Sequence, residues 1–410
     1  MTTIFKQKLA IEGGECEINT AFPVWPTYAQ DEVNAVLNVL KSGRVNYWTG
    51  DLGQKFEKQF AKYFGVNYAV ALANGSVALE LALQVLNIGQ GDEVIVTPRT
   101  FVATVSSICL KGATPIFADV DLNTQNVTAE SIQACITPRT KAIILVHLAG
   151  WPCDMKSIIE VAKDNDLKLI EDCAQAHGAK YDDKYVGSFG DVAIFSFCQD
   201  KIMSTGGEGG MLVTNNESTW RKAWMYKDHG KHYESMMQRS ATDKSKFKWV
   251  HNSFGSNLRM TEMQAAIGLL QLNKLDVWLE QRRKHANMLT NCFAKIPAIR
   301  VTQPGDNIAH AYYKYYAFIR PPKLKPGWSR DKVIQAINAE GVPCFMGSCS
   351  EVYKEKAFVD VGIKPVSALK NAEELGATSI MFNIHPTLGS RDIEKVCAVV
   401  EKVFHYASNL

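Results

Sequence analysis

The sequence predicts an α/β protein: a large domain on a mostly parallel sheet with helices on both faces, then a smaller α+β domain. Three observations predict it. Short apolar runs alternate with amphipathic segments from about residue 68 to about residue 285, as strands buried on both faces require. The alternation then stops, and strands and helices mix. The chain has 410 residues, more than one core ordinarily spans. The division expected is an N-terminal arm over 1–28, a large domain over 29–288 and a small C-terminal domain over 289–410.

The arm reads as irregular because Pro23 and Pro26 discourage regular structure. Asp31 then opens a helix with Val33, Val36, Leu37 and Leu40 on one face, stopped near Gly43. Phe56, Phe60 and Phe64 recur at helical spacing before Gly65. Residues 68–72, 94–96, 115–117, 142–146, 167–170, 193–195 and 210–213 read as strands of one sheet. Residues 77–86, 103–110 and 155–162 read as helices between them. Residues 220–225 read as a short helix. Residues 226–249, rich in lysine, histidine and aromatics, read as a loop that covers a substrate or contacts a second subunit. A long helix over 261–279 opens at Thr261-Glu262. In the last part, 315–319 and 379–383 read as strands and 331–339 and 391–404 as helices. The final helix carries Ile393, Val396, Val400 and Val403 on one stripe.

Composition excludes several classes. The net charge is +3 with both signs interspersed, so no nucleic acid or anionic membrane is expected as a partner. The ten cysteines are scattered with no C-x-x-C pair, which points to free thiols in a reducing compartment and to no metal site. No apolar stretch has the length of a membrane span, and the first residues lack a signal-peptide core. A cytoplasmic protein is expected.

The chemistry concentrates around Lys201. It lies in Phe195-Ser196-Phe197-Cys198-Gln199-Asp200-Lys201, ahead of Gly206-Gly207-Glu208-Gly209-Gly210. Upstream, the 167–170 run ends in Glu171-Asp172-Cys173-Ala174-Gln175-Ala176-His177-Gly178. A carboxylate at a strand end and a lysine in a Ser/Gly-rich turn are what pyridoxal phosphate (PLP) chemistry requires. The lysine forms a Schiff base with the aldehyde, and the carboxylate keeps the pyridine nitrogen protonated. Asn74-Gly75-Ser76 stands between a strand and a helix, where amides and a hydroxyl can cradle a phosphate. Phe101 follows the next strand, where an aromatic can stack on a flat ring. Singly, each has an ordinary reading: a turn and N-cap for Asn74 to Ser76, core for Phe101, a helix cap for Asp172, a solvated surface for Lys201, a strand hydroxyl for Ser196. Together they fall at the carboxyl ends of predicted parallel strands, where open α/β sheets bind ligands.

This ordered set resembles the DegT/DnrJ/EryC1/StrS family of nucleotide-sugar aminotransferases. So do Tyr47-Trp48-Thr49-Gly50, Thr100-Phe101 and Gly255-Ser256-Asn257-Leu258-Arg259-Met260-Thr261-Glu262-Met263-Gln264-Ala265-Ala266. The resemblance spans nearly the whole chain. It implies the aspartate-aminotransferase-like fold type I of PLP-dependent transferases, in a homodimer with active sites shared between subunits. It implies that Lys201 holds PLP and shuttles the proton, that Asp172 pairs with the pyridine nitrogen, that Gln175 bonds near the ring hydroxyl and that Phe101 covers the ring. Gly75, Ser76 and Ser196 are implied to hold the phosphate, with Asn257 reaching it from the partner subunit. The chain departs from the family's frequent pattern at Cys198, often histidine, and Cys173, often alanine. Relatives that dehydrate a sugar at C3 replace the lysine with histidine, so retention of Lys201 favours transamination.

The implied reaction moves the amino group of L-glutamate to the cofactor, forming pyridoxamine phosphate, and then to a keto carbon of a nucleotide-linked sugar. Asn46 to Gly50 and His310-Ala311-Tyr312-Tyr313-Lys314-Tyr315-Tyr316 resemble the bacillosamine-type 4-aminotransferase branch. That favours C4 of a UDP-linked 4-keto-6-deoxy-N-acetylhexosamine. C3 amination of a UDP-linked 3-keto N-acetylhexuronic acid is the nearest alternative, and a regulatory or binding protein on the same fold is a further one. Candidates to grip the substrate are Tyr47, Thr49, His147, His177, His229, Arg259, Tyr313 and Lys314.

Overall fold

The computed structural model describes residues 8–237 and 249–408. The first seven residues of the expected arm, and 238–248 of the expected loop, lie outside the described residues.

In chain order the first part runs α1 (Gln30–Ser42), α2 (Leu52–Phe64), β1 (Tyr68–Leu72), α3 (Gly75–Val85), β2 (Glu93–Val96), α4 (Val102–Leu110), β3 (Thr114–Phe117), α5 (Ala129–Gln133), β4 (Thr140–Val146), α6 (Met155–Asp164) and β5 (Lys168–Asp172). A small hairpin of β6 (Lys180–Tyr181) and β7 (Lys184–Tyr185) follows, then β8 (Val192–Ser196), β9 (Gly210–Thr214), α7 (Glu217–Lys227), α8 (Tyr233–Met237) and α9 (Glu262–Phe293). Seven strands form one sheet in the order β1-β9-β8-β5-β4-β2-β3. β9 is antiparallel to both neighbours, and the other six run the same way. The sheet is α/β and mostly parallel, as expected, with one reversed strand. The cause is local. Residues 197–209 contain no crossover helix, which a parallel return needs, so the chain comes straight back along β8.

The second part holds β10 (Ile299–Arg300), β11 (Ile308–Ala309), β12 (Lys314–Ile319), α10 (Arg330–Ala339), β13 (Cys344–Phe345), α11 (Lys356–Val359), α12 (Lys370–Thr378), β14 (Ser379–Asn383) and α13 (Ser390–Ala407). β10, β12, β14 and β13 make a four-stranded antiparallel sheet. Ile393, Val396, Val400 and Val403 of α13 are buried in the core beneath it, where their helical spacing puts them.

α9 is longer than its sequence pattern indicates, running unbroken to Phe293. Thr261 caps it: its Oγ accepts the Gln264 amide, and Gln264 Oε1 accepts the Thr261 amide at 2.8 Å. Leu272, Leu275 and Leu279 enter the core under the main sheet, while Ala286, Leu289 and Phe293 enter the C-terminal core. We propose the division 1–28, 29–288 and 289–410, with α9 as the shared element that crosses the second boundary.

Among the described residues, the apolar face of α1 is not covered by its own chain. Val33, Leu37 and Leu40 are exposed, at 49%, 43% and 53%. The helix turns Glu32 and Val39 inward instead, and Lys274 of α9 pairs with Asp31 and Glu32 at 2.9 and 3.1 Å. An apolar stripe marks a face to be covered, but does not say by what.

Candidate active site

A cavity of about 470 Å³ opens where the carboxyl ends of β1, β2, β5 and β8 converge. β9 makes this possible. Gly210 at its start sits opposite both Leu72 and Ser196, so the ends of β1 and β8 close on one point. Gly210 must lack a side chain there, because a Cβ would lie 2.3 Å from the Asn74 carbonyl.

The Asn74-Gly75-Ser76 turn opens α3. Asn74 Oδ1 accepts the Val77 amide at 3.0 Å, a side-chain N-cap that leaves the Gly75 and Ser76 amides at the helix mouth. A Cβ on Gly75 would meet Ser196 Cβ at 2.7 Å. The glycine therefore lets the helix mouth and the β8 hydroxyl share one cradle. Gly75, Ser76 and Ser196 all line the cavity. Their amides and hydroxyls offer the donors that an anion needs.

Asp172 ends β5 on the cavity floor. Thr104 Oγ1 donates to its Oδ2 at 2.9 Å, and the Ala174 amide to its Oδ1 at 3.1 Å. It makes no ion pair among the described residues. Burial raises its pKa against the pull of the Ala174 amide, Thr104 and the charge of Lys201. A buried carboxylate in this state is completed by a cation, which a protonated pyridine nitrogen would supply. Gln175 Oε1 accepts the Ala149 amide at 2.8 Å, which leaves its NH₂ group to donate. Phe101 lines the cavity at 66% exposure, so it is a mouth residue rather than core.

Lys201 projects from the 197–209 loop into the same cavity. The loop is closed by the Phe197 amide on Gly209 O at 2.8 Å and the Thr205 amide on Phe197 O at 3.1 Å. From the arm, Trp25 Nε1 donates to the Lys201 carbonyl at 2.8 Å, and the Tyr28 and Ser204 hydroxyls lie 3.2 Å apart. Lys201 Nζ donates to the Tyr313 hydroxyl at 3.3 Å.

These residues fit PLP: an anion cradle, a flat apolar cover, a buried carboxylate lacking a cation, and an amine. Of the residues expected to bind cofactor, Gly75, Ser76, Phe101, Asp172, Gln175, Ser196 and Lys201 come together, whereas Asn257 is exposed outside the cavity of its own chain.

Among the substrate candidates only Tyr313 lines the cavity. Lys314 stands behind it, 3.7 Å from Asp200. His147 is fully buried, holding Glu171 at 3.1 Å and accepting the Cys153 amide at 3.1 Å. Glu171 also accepts the Gly187, Phe189 and Gly190 amides. Hence His147 and Glu171 form a satisfied interior pair, with the buried Cys173 thiol beside it. His177 is fully buried against Phe195 and Phe197, and burial with the charges of Lys201 and Arg282 lowers its pKa to about 3. Tyr47 is buried too. Its hydroxyl donates to Glu57 at 3.0 Å, and buried Lys227 sits 3.7 Å over its ring. Burial keeps these three from any sugar. Arg259 pairs with Asp228, Thr49 bonds back to Asn46 O, and His229 is exposed in a left-handed turn. Thr49 lines a separate cleft of about 590 Å³ beside α1, α2 and α9.

Sequence reading missed Thr104, Asp200, Trp25 and Ser348. Thr104 follows Thr100 by one helical turn, and their hydroxyls are 2.9 Å apart, which is a usable signal. Trp25 has none, since its partner is 176 residues away.

Residues 26–401 match the model of the DegT/DnrJ/EryC1/StrS aminotransferase family. A crystal structure of an aminotransferase from Psychrobacter cryohalolentis superimposes with a TM-score of 0.91 at 49% identity, covering 94% of this chain and 99% of that one. A GDP-perosamine synthase of Caulobacter vibrioides is 38% identical over 87% of this chain and 92% of its own. A UDP-N-acetyl-3-dehydro-α-D-glucosamine 3-aminotransferase of Acidithiobacillus ferrooxidans is 33% identical over 87% of this chain and 89% of its own. The architecture is fold type I of the PLP-dependent transferases. With the site and the similarities in agreement along nearly its whole length, the chain belongs to the DegT/DnrJ/EryC1/StrS family of PLP-dependent aminotransferases.

Proposed function

We propose that the protein moves the amino group of L-glutamate onto C4 of a UDP-linked 4-keto-6-deoxy-N-acetylhexosamine, in glycan or polysaccharide synthesis. The observation that carries the amino-transfer part is the convergence of Lys201, Asp172 and the α3 mouth on one cavity. PLP, when bound, supplies the electron sink that allows the C–H bond beside the amino group to break. Asp172 would pair with the ring nitrogen and keep it protonated, and Thr104 with the Ala174 amide keeps that carboxylate aimed. Gly75, Ser76 and Ser196 hold the phosphate, Gln175 donates near the ring hydroxyl, and Phe101 covers one face and excludes water. Lys201 Nζ would take a proton from one of the two carbons that flank the transferred nitrogen and return it to the other.

Resemblance of the Asn46 to Gly50 and His310 to Tyr316 stretches supports the C4 assignment. The Acidithiobacillus relative, named for 3-amination of a UDP-N-acetyl-3-dehydro-α-D-glucosamine, supports the C3 position of the alternative, a UDP-linked 3-keto N-acetylhexuronic acid, but not its carboxylate. A regulatory role is disfavoured, since binding alone has no use for an amine beside a buried carboxylate. We further propose a cytoplasmic homodimer in which Asn257 reaches the partner's phosphate site. The exposed Asn257 and the uncovered Val33, Leu37 and Leu40 stripe support a second copy. Among the described residues no helix is long and apolar enough to cross a membrane.

Three measurements test this. Adding L-glutamate to the yellow protein should bleach the lysine-bound cofactor band and raise the pyridoxamine band. Lys201→Ala should lose that band and all turnover with its circular dichroism unchanged; surviving turnover would refute the mechanism. Steady-state rates on each purified keto-sugar then decide the carbon, and inactivity on the 4-keto-6-deoxy compound sinks the C4 assignment.

A further inference from the structure

Asp200 is a carboxylate next in sequence to Lys201, on the cavity wall, and the proposed function assigns it nothing. Its side chain is 52% exposed, while that of Lys201 is 15% exposed. The Tyr313 hydroxyl donates to Asp200 Oδ2 and accepts from Lys201 Nζ at 3.3 Å. Lys201 Nζ lies 3.8 Å from Asp200 Oδ1, and Lys314 Nζ lies 3.7 Å from Asp200 Oδ2. Lys314 is itself held by Asn383 Oδ1 at 3.0 Å. Both ammonium groups sit 4.7 Å over the Tyr313 ring. A single carboxylate therefore serves two amines through a shared tyrosine.

We propose that Tyr313 and Asp200 form a relay that receives the proton-bearing Lys201 ammonium during each half-reaction, with Lys314 as its counterweight. The proposal rests on Lys201 being the proton carrier. When Lys201 takes a proton, the electron pair of the broken C–H bond stays on the substrate carbon and Nζ becomes an ammonium. An N–H of that ammonium is donated to Tyr313 Oη, whose own O–H is donated to Asp200. The carboxylate charge stabilises the ammonium through the tyrosine, and no proton leaves the set. Tyr313 touches the reacting nitrogen and is a catalytic residue; Asp200 and Lys314 are positioning residues.

The charges facing Lys201 come from several elements. Asp172 lies on β5, and Asp200 is on its own loop. His177 lies beneath, neutral at ordinary pH. Lys314 is on β12, and Arg282 of α9 acts on Lys314 and His177 in turn. Burial acts to raise the Asp200 pKa, but Lys201, the Tyr313 hydroxyl and Lys314 outweigh it, so the carboxylate stays ionised. Burial lowers the Lys314 pKa against the pull of Asp200.

The test uses the full protein loaded with pyridoxamine phosphate, in which Lys201 is not linked to the cofactor. Competitive labelling with isotope-coded acetic anhydride across pH, read by mass spectrometry of the Lys201 peptide, gives the titration midpoint of Nζ without turnover. Asp200→Asn should lower that midpoint by about one pH unit, a roughly tenfold loss of proton affinity. Tyr313→Phe should lower it too, and the double variant should add little, because the two act in series. Lys314→Met should raise it. A midpoint unmoved or raised in Asp200→Asn, or lowered in Lys314→Met, overturns the relay. That result in a protein whose wild type still answers glutamate leaves the aminotransferase reading standing. Activity in Lys201→Ala would remove both.

Discussion

At the scale of single residues, Asp172 shows how a side chain's role is set by its neighbours. Its carboxylate is buried, so its charge is tolerable only with hydrogen bonds and a cation. Thr104 and the Ala174 amide provide the first, and a protonated cofactor ring would provide the second. Asp172→Asn should keep PLP bound yet lose rate on the order of a thousandfold or more, because the ring nitrogen is no longer held protonated. Thr104→Val removes one bond to a charged group, worth about 1.5–3 kcal/mol, so kcat should fall roughly ten- to a hundredfold. Single-turnover bleaching of the cofactor band by glutamate measures both, and a Thr104→Val rate equal to wild type would show that the Ala174 amide suffices. Asp172, Lys201, Gly75, Ser76 and Ser196 were legible in the sequence because each lies within a local motif at a strand end. Thr104 was not, since its tie to Asp172 spans 68 positions.

At the scale of elements, the site depends on the mouth of α3 meeting the end of β8. Gly75 permits it, as a Cβ would stand 2.7 Å from Ser196 Cβ. Gly75→Ala must displace the helix start or the strand end. The expected outcome is weaker PLP binding, on the order of ten- to a hundredfold, seen by absorbance titration of cofactor-free protein. Unchanged affinity would mean that the cradle has slack. The strand positions were readable because buried parallel strands are continuous apolar runs bounded by turn residues. The reversal of β9 was not readable from the run itself, which looks the same in either direction. The α1 stripe was equally ambiguous: periodicity located Val33, Leu37 and Leu40 on one face, and the packing on α9 then used another.

At the scale of the whole molecule, α9 joins the two cores. Its buried Arg282 donates to the Tyr312 and Tyr313 carbonyls at 3.2 and 3.5 Å, and also to that of Ile384. The chain holding Tyr313 over Lys201 is thus braced from the helix both sheets share. Interior histidines set an acid limit. Burial, with nearby cations, lowers His177 and His310 from 6.5 to about 3. His310 Nδ1 also accepts the Tyr312 amide at 2.8 Å, a bond the doubly protonated ring cannot keep. A folded pKa below the unfolded one means that the unfolded chain binds protons first as pH falls. Stability from these rings is therefore full above about pH 6.5 and is lost as pH falls toward 3. The thermal midpoint should drop across that window, and His310→Gln should drop less steeply; equal slopes would refute the assignment. Sharing of sites between subunits has its own test. Mixing Lys201→Ala with Asn257→Ala chains should restore turnover at PLP concentrations the Asn257→Ala protein cannot hold, because one site then has both native residues. No restoration would confine Asn257 to its own chain.

By itself the sequence determined the class of fold, the cofactor and the candidate residues to hold it, since these reside in short motifs placed by the strand and helix periods. Tertiary structure decided which of the outlying candidates reach the cavity. His147, His177 and Tyr47 are interior, and Tyr313 with Asp200 is brought to Lys201. The physical reason is that a polar side chain acquires its role from burial and partners, and these are set by the fold: Tyr313 reaches Asp200 across 113 positions of chain.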